Sequence, residues 1–256
     1  MATAEQHARS AAPHRELLRS APGRHNHPEG SEAYRSQAGR YDRHTERFQH
    51  WRELLINNLT VTRGDTLLDI GCGTGLCLPL LQEKLGPTGT IIGIDASEQM
   101  LKIAADKVTK HGWTNVHLIA APVAQAPIDG WADAAIFCAV HDVMQSPAAM
   151  ANVFAHLRPG AAVAAIGGKW PAPWLWSLCT WVADLHAPFV TDFTDFDQPW
   201  HLLAEHVPDL HIRPLSAGTG YLARGHTRPA TNSNPQPVLT PDTLPDRSRS
   251  PKGHTS

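Results

Sequence analysis

Leu67-Leu68-Asp69-Ile70-Gly71-Cys72-Gly73-Thr74-Gly75 is the stretch that decides the fold. It begins inside a short apolar strand pattern, and its glycines lead into an apolar pattern with helical spacing. Glycine allows a tight turn and lets a ligand approach the backbone without a Cβ in the way. Free N–H groups at the start of a helix favour a polar or anionic ligand group. The stretch therefore predicts a strand, a ligand-binding loop and a helix in succession.

Strand and helix patterns alternate around this loop. Helices are predicted at residues 41–59, 76–85, 98–110, 147–157 and 199–206. Strands are predicted at residues 66–70, 90–94, 116–120, 132–139, 161–166, 210–215 and 220–224. The alternation favours parallel pairing with right-handed crossovers, and the short link between the last two strands favours an antiparallel pair. We predict an α/β, doubly wound, mostly parallel seven-stranded sheet with an antiparallel last strand.

Asp95 ends the second predicted strand, 20 residues after Gly75. An acidic side chain at that place would accept hydrogen bonds from the two ribose hydroxyls of a nucleoside. The alternative is a carboxylate that only stabilises the start of the next helix. A dinucleotide-binding loop needs a small residue where this chain has Leu76, so the spacing does not indicate a pyrophosphate. An NAD-dependent oxidoreductase and a non-catalytic nucleoside-binding protein remain alternative interpretations.

Two motifs, L-D-I-G-C-G-T-G at residues 68–75 and G-I-D-A-S at residues 93–97, closely resemble those of the class I S-adenosylmethionine-dependent methyltransferases. The resemblance extends in order over residues 41–225. It implies the Rossmann-like methyltransferase fold, with S-adenosyl-L-methionine as the cofactor. It also implies cofactor contacts from nine residues: Asp69, Gly71, Cys72, Gly73, Asp95, Ala96, Met100, Val123 and Cys138.

The implied contacts divide between the two ends of the cofactor. The backbone of residues 71–73 faces the methionine moiety, Asp69 holds its amino group directly or through water, and a carbonyl near Cys138 faces the ammonium. Ala96 and Met100 flank the adenine. The family often carries an acidic residue for the adenine amino group after the third strand, where this chain has Pro122. The N–H of Val123 is the predicted substitute.

His141 is the candidate general base on the acceptor side. It follows the fourth predicted strand in Ala139-Val140-His141-Asp142, where enzymes that methylate amide or base nitrogens carry Asn or Asp followed by Pro-Pro and an aromatic residue. Neighbouring residues on a helix do not face each other, so Asp142 is not expected to be its partner. The alternative is a polar residue at a strand-to-helix turn.

Five of the eight tryptophans fall within residues 168–200, after the fifth predicted strand. Ligands of doubly wound folds bind beyond the carboxyl ends of the strands, where this segment leaves the sheet. We predict an aromatic cap over a small apolar or aromatic methyl acceptor, formed by Trp170, Trp174, Trp176 and Trp181. The alternative is that these rings only pack the segment onto the sheet. Residues 34–48 lead into the first helix and either fold over the cofactor, as in the family, or form a plain amphipathic entry helix.

The amino-acid composition limits the classes of partner that we expect for the protein. Lys plus Arg is 22 and Asp plus Glu is 24, so no basic excess indicates nucleic acid, although a protein or RNA acceptor remains an alternative. The four cysteines lack metal-binding spacing, and no metal is predicted. No apolar stretch suits a membrane span or a signal peptide, so we expect a cytoplasmic monomer or homodimer. Residues 1–33 and 226–256 are predicted to be disordered, flanking one methyltransferase domain at 34–225 with the cap at about 168–200.

Overall fold

A seven-stranded sheet organises the computed structural model, which describes residues 42, 45–187, 190 and 192–230. The strands are β1 (Thr66–Ile70), β2 (Thr90–Asp95), β3 (Val116–Ala120), β4 (Ala132–Cys138), β5 (Leu157–Gly168), β6 (His211–Leu215) and β7 (Gly220–His226). Their spatial order is β3-β2-β1-β4-β5-β7-β6. The first five strands pair in parallel, and β7 is antiparallel to both β5 and β6. The predicted fold class is confirmed.

Helices cover both faces of the sheet. They are α1 (Gln49–Asn57), α2 (Leu78–Leu85), α3 (Glu98–His111), α4 (His141–Met144), α5 (Pro147–Ala155), α6 (Cys179–His186) and α7 (His201–His206). Short 3-10 helices occur at Glu46–Phe48, Val123–Gln125, Pro173–Leu178 and Ser216–Gly218. Ser97 caps the start of α3, because its hydroxyl accepts a hydrogen bond from the N–H of Met100.

The core is double, with one apolar layer on each face of the sheet. Neighbouring residues of a strand point to opposite faces, so Leu68 packs in the layer with Phe137 while Leu67 packs in the layer with Ile136. Burial on both faces is typical of parallel strands and explains why β1 is almost continuously apolar. Asp69 is the exception in that strand.

Most element boundaries differ from the predicted ones by a few residues, and the predicted helices at 41–59 and 147–157 are Gln49–Asn57 and Pro147–Ala155. Helix α2 begins at Leu78 rather than at residue 76, because the turn opened by Gly75 (φ +75°) continues past it. Strand β5 is longer than predicted at both ends, since Gly167 and Gly168 still pair with β7. Helix α7 begins at His201 rather than at residue 199.

The predicted chain ends lie mostly outside the described residues. This holds for residues 1–33 and for 231–256. The sheet continues past the predicted limit at residue 225, because β7 reaches His226 and the N–H of Thr227 donates to the Ala161 carbonyl at 2.9 Å. Within the described ranges, no helix is long and apolar enough to cross a membrane.

Candidate functional site

A cavity lies at the carboxyl ends of β1, β4 and β5, where the sequence placed the ligand site. The glycine-rich loop forms one wall, including Asp69, Gly71, Cys72 and Gly73. The opposite walls come from the ends of β4 and β5, from the segment before α1, and from the cap. Among the described residues, no group of His, Cys, Asp or Glu side chains could hold a metal ion.

The backbone conformation of the loop requires glycine. Gly71 and Gly73 have φ values of +63° and +55°, which disfavour any residue with a Cβ. A Cβ at Gly71 would also collide with Val140, whereas at Gly73 no described atom lies within 4 Å. The loop is fixed to β2 because the Cys72 N–H donates to the Ile94 carbonyl at 3.0 Å. The backbone of the loop is therefore fixed in place and faces the cavity without a side chain in between.

Asp95 organises the loop as well as marking the end of β2. Its Oδ2 accepts from the Gly73 N–H at 2.8 Å, and its Oδ1 accepts from the Ser97 N–H at 2.8 Å. Burial raises the pKa of Asp95, while these two hydrogen bonds oppose that rise. Each carboxylate oxygen keeps capacity for a second hydrogen bond, so the ribose role stays open to it. Sequence reasoning missed its structural role in the loop.

Asp69 is the unusual carboxyl of the site. It lines the cavity, is 1% exposed, and has no described hydrogen-bond partner for Oδ2. Burial, and then the negative charge of Asp95, raise the pKa of Asp69 to about 7. A buried carboxylate without a partner is costly, and a cationic ligand group would remove that cost. This orphaned oxygen fits the ammonium of a bound S-adenosylmethionine.

The cysteines at the cavity are not in disulfides. Cys72, Cys77 and Cys138 line it, and the chain's four cysteines, all within the described part, are free. Burial is the first cause that raises the pKa of Cys72, which disfavours the reactive thiolate. The Cys72 sulfur fills the space above Gly93, where an added Cβ would lie 2.9 Å from it. Their contribution here is packing and shape.

The predicted adenine neighbours lie beside Asp95 but outside the cavity wall. The N–H of Ala121 donates to the Asp95 carbonyl at 3.1 Å, which brings the segment carrying Val123 next to β2. Met100 and Val123 are buried, at 2% and 4% exposure, and Ala96 is half-buried. Their contact with adenine stays a prediction.

His141 lies at the start of α4, in the cavity wall. Its Nε2 is 3.1 Å from the Thr194 carbonyl, which can only accept, so Nε2 carries the proton. Nδ1 is then the basic nitrogen, and it has no hydrogen-bond partner among the described residues. Burial lowers the pKa of His141 in spite of the opposing charge of Asp142. A neutral imidazole with a bare nitrogen suits a general base.

Tyr221 is a site residue that the sequence pattern did not reveal. It lines the cavity from β7, is 1% exposed, and its hydroxyl donates to the Met144 sulfur at 3.4 Å. A Cβ at Gly167 on the neighbouring strand would lie 3.2 Å from the Tyr221 ring. The glycine therefore leaves room for this ring at the cavity.

The cap contributes different residues from those predicted. His186, Val190 and Phe196 line the cavity, while Trp170, Trp174 and Trp181 do not. Trp170 packs against Phe193 and Phe196 at ring distances of 5.2 Å, and Trp174 and Trp181 are 80% and 55% exposed. Trp176 lies in the 3-10 helix Pro173–Leu178, and its side chain lies outside the described part. Packing of the cap, with α6 turning Val182 inward and Trp181 outward, explains the difference.

The segment before α1 also reaches the cavity. Thr45 and Phe48 of this segment line the cavity together with Trp51 and Arg52 of α1, whereas Tyr34 and Tyr41 lie outside the described residues. A polar network that we call the Asp42 latch (Asp42, Thr74 and Lys107) fixes this segment to the glycine loop. Asp42 accepts from the Thr74 hydroxyl at 2.6 Å and from Lys107 at 2.7 Å, and Lys107 also donates to the Thr74 carbonyl at 2.9 Å.

Comparison with known proteins agrees with this geometry. A family model described as "Methyltransferase domain" matches residues 62–167. The demethylmenaquinone methyltransferase of Geobacillus kaustophilus is 40% identical over 77 residues, covering 30% of this chain and 33% of that protein. The protein of the same name from Listeria monocytogenes is 29% identical over 123 residues, covering 47% and 52%. The chain thus spans about half or less of the length of these relatives.

Solved structures share the fold. A SAM-dependent methyltransferase from Aquifex aeolicus is 20% identical with a TM-score of 0.53, over 75% of this chain and 98% of that one. Phosphoethanolamine N-methyltransferase 2 from Haemonchus contortus, solved with S-adenosylhomocysteine, is 11% identical with a TM-score of 0.56, over 76% and 57%.

The doubly wound sheet, the glycine loop and the acidic end of β2 define a nucleoside-binding α/β protein. The family model identifies residues 62–167 as a methyltransferase domain, and the fold and loop geometry are similar to those of the class I S-adenosylmethionine-dependent methyltransferases. The loop glycines and the orphaned Asp69 oxygen fit the methionine end of that cofactor.

Asp95→Ala is expected to weaken S-adenosylhomocysteine binding about 100-fold, equivalent to roughly 3 kcal/mol, because charge-assisted hydrogen bonds are lost and the loop is released from β2. Titration calorimetry would measure the affinity, and circular dichroism would confirm that the variant is folded. Asp106→Ala, exposed on α3, is the matched control. Unchanged affinity in folded Asp95→Ala would refute the assignment.

Asp42→Asn is expected to speed the release of S-adenosylhomocysteine by about 2- to 5-fold, because the latch is half-exposed and such ion pairs are weak. Stopped-flow dissociation kinetics would measure the rate. Lys107→Met should reproduce the effect, and Lys102→Met, exposed on the same helix, should not. Equal release rates in all four proteins would show that the latch does not retain the cofactor.

Proposed function

We propose that this protein methylates a small molecule with an apolar or aromatic body, using S-adenosyl-L-methionine. One observation carries the proposal: a single cavity joins the orphaned Asp69 carboxylate at the glycine loop to an apolar wall that contains the bare Nδ1 of His141. The first end suits the cationic methionine moiety, and the second suits a flat ligand with a removable proton.

The acceptor wall favours an aromatic ring. Phe48, Phe196 and Tyr221 contribute ring surface to the cavity, and Val190 adds aliphatic surface. The relatives named demethylmenaquinone methyltransferase support a ring-shaped substrate, since their name contains a quinone. We propose for this chain a hydroxylated aromatic or quinol-type ring.

The cofactor, when bound, supplies an electrophilic methyl group on a sulfonium, which is already a good leaving system. Asp69 and the loop backbone would hold the methionine end of the cofactor, and Asp95 would hold its ribose. Phe196, Val190 and Tyr221 orient the acceptor ring and exclude water, which favours transfer by positioning and desolvation. His141 takes the acceptor proton on Nδ1 while Nε2–H remains bonded to Thr194.

A labelled-methyl transfer screen tests the proposal. The protein is incubated with methyl-labelled S-adenosylmethionine and, separately, with hydroxylated aromatics and quinols, total RNA, and whole-cell protein. Label is expected in the small-molecule fraction. Label confined to RNA or protein would overturn the acceptor class. Calorimetry with S-adenosylhomocysteine and NAD runs beside it, and binding of NAD alone would favour the oxidoreductase alternative.

A further inference from the structure

Two imidazoles in the cavity wall contact the same phenyl ring. The ring centroid of Phe196 lies 4.9 Å from that of His141 and 5.5 Å from that of His186, and both pairs meet edge to face. All three side chains line the cavity. His141 begins α4, whereas His186 is the last residue of α6 in the cap. The wall around Phe196 therefore contains a second polar ring, which the function proposed above does not use.

Gly168 leaves the space that the His186 ring occupies. A Cβ at Gly168 would collide with Cε1 and Nε2 of this imidazole. The φ of Gly168 is not positive, so the backbone conformation does not require glycine at this position. The missing side chain instead lets the end of α6 pack directly on the end of β5. The cap and the sheet thus meet at two residues that both line the cavity.

His186 is the polar member of the part of the wall that the cap contributes, where Val190 and Phe196 are the apolar members. The expected cofactor contacts come from the loop after β1 and from the end of β2, whereas His186 packs on the end of β5 and on Phe196. Its expected ligand is therefore the methyl acceptor. An imidazole can donate a hydrogen bond from one nitrogen and accept one at the other, which matches a hydroxyl group.

We propose that the acceptor is an aromatic ring with two oxygen substituents, and that His186 hydrogen-bonds the oxygen that is not methylated. This inference rests on the function proposed above, in which His141 takes the proton from the other oxygen. His186 then determines which rings bind and how they are oriented, and it takes no part in the transfer itself. A site with a polar group for a substrate oxygen discriminates against the analogue that lacks this oxygen.

Two probes that differ by one hydroxyl test the inference: naphthohydroquinone, which carries two, and 1-naphthol, which carries one. Each probe is titrated in oxygen-free buffer into the protein saturated with S-adenosylhomocysteine, so that calorimetry measures affinity without turnover. We expect the wild type to bind naphthohydroquinone about 3- to 10-fold more tightly, which is the contribution of one hydrogen bond. His186→Ala should remove this preference and leave the Kd for S-adenosylhomocysteine within about 2-fold of the wild-type value.

Further variants separate the hydrogen bond from packing. His186→Gln keeps a donor and an acceptor, so it should retain part of the preference. Gly168→Ala should displace the imidazole and reduce the preference as His186→Ala does. Combined with His186→Ala, it should have little further effect, because the ring with which its Cβ collides is gone. His211→Ala, exposed on β6, is the control and should keep the wild-type preference.

Several results would overturn the inference. Equal losses of affinity for both probes in His186→Ala would make His186 a structural residue, and a raised Kd for S-adenosylhomocysteine would assign it to the cofactor. A wild-type complex that binds both probes equally, or neither of them, would refute an acceptor with two oxygens. If His186→Ala does not fold, the ratio of the two affinities in Gly168→Ala decides the question in the same way. Failure of the wild type to bind S-adenosylhomocysteine would instead overturn the proposed function.

Discussion

Asp69→Asn is expected to stabilise the ligand-free protein and to weaken its cofactor binding. The carboxyl is fully buried, and its pKa rises from 3.8 to about 7 on folding. The unfolded chain therefore releases this proton at lower pH than the folded protein, so the contribution of Asp69 to stability falls as the pH rises from about 4 to 7. Above about pH 7 the cost is on the order of 4 kcal/mol.

Asparagine has the same shape and no charge, so this cost disappears. Chemical denaturation should show a higher free energy of unfolding than wild type at about pH 8 and little difference at about pH 4. Calorimetry should show a Kd for S-adenosylhomocysteine raised about 10- to 100-fold at about pH 8, because the charge that faces the ammonium is lost. Wild-type affinity should fall on acidification through about pH 7, and the variant should lack this dependence.

Asp129→Asn, which is exposed, is the matched control and should change neither property. A lower stability of Asp69→Asn at about pH 8 would mean that the folded protein already pairs the Asp69 charge. Unchanged cofactor affinity would remove Asp69 from the binding site.

His141→Asn is expected to lower kcat by about 100- to 10,000-fold on an acceptor that must lose a proton. The asparagine amide can still donate to the Thr194 carbonyl, but it offers no basic nitrogen. The Kd for S-adenosylhomocysteine should stay within about 2-fold of wild type, since His141 acts on the acceptor side. Steady-state kinetics and calorimetry would separate the two effects.

The pH profile gives an independent check. Burial lowers the pKa of His141 below its ordinary value of 6.5, so the neutral base is present above that lower pKa. Wild-type kcat should rise with pH below about 6.5 and then stay level, and the variant should lack this rise. His117→Asn, exposed on β3, is the control. Full activity in His141→Asn would show that transfer to that acceptor needs no base from this residue.

The glycine loop and the alternation of strands and helices followed from the sequence by itself. Positive φ values at Gly71, Gly73 and Gly75 are local requirements that only glycine meets easily, so residue type reveals them. Strand and helix periodicity is also local, and the rules for crossovers turn it into a topology. Asp95 was predictable because its place depends on one strand and one helix start.

The rest of the site depended on contacts between elements that are distant in the chain. Tyr221 and Phe196 reach the cavity only through the placement of β7 and the cap, and Arg52 only through the packing of α1. No local pattern distinguishes these side chains from ordinary core residues.

The cap shows the limit most clearly. The aromatic composition of residues 168–200 predicted a segment at the cavity, and His186, Val190 and Phe196 of this segment line it. The orientation of each short element decides which ring faces the cavity and which faces solvent. Trp174 and Trp181 are exposed, while Phe196, which is less conspicuous in the sequence, is buried at the cavity. The hydrophobic effect depends on how much apolar area is buried and has no preferred direction. The orientation of each short element is therefore set by packing over the whole fold. Only the tertiary structure could therefore decide it.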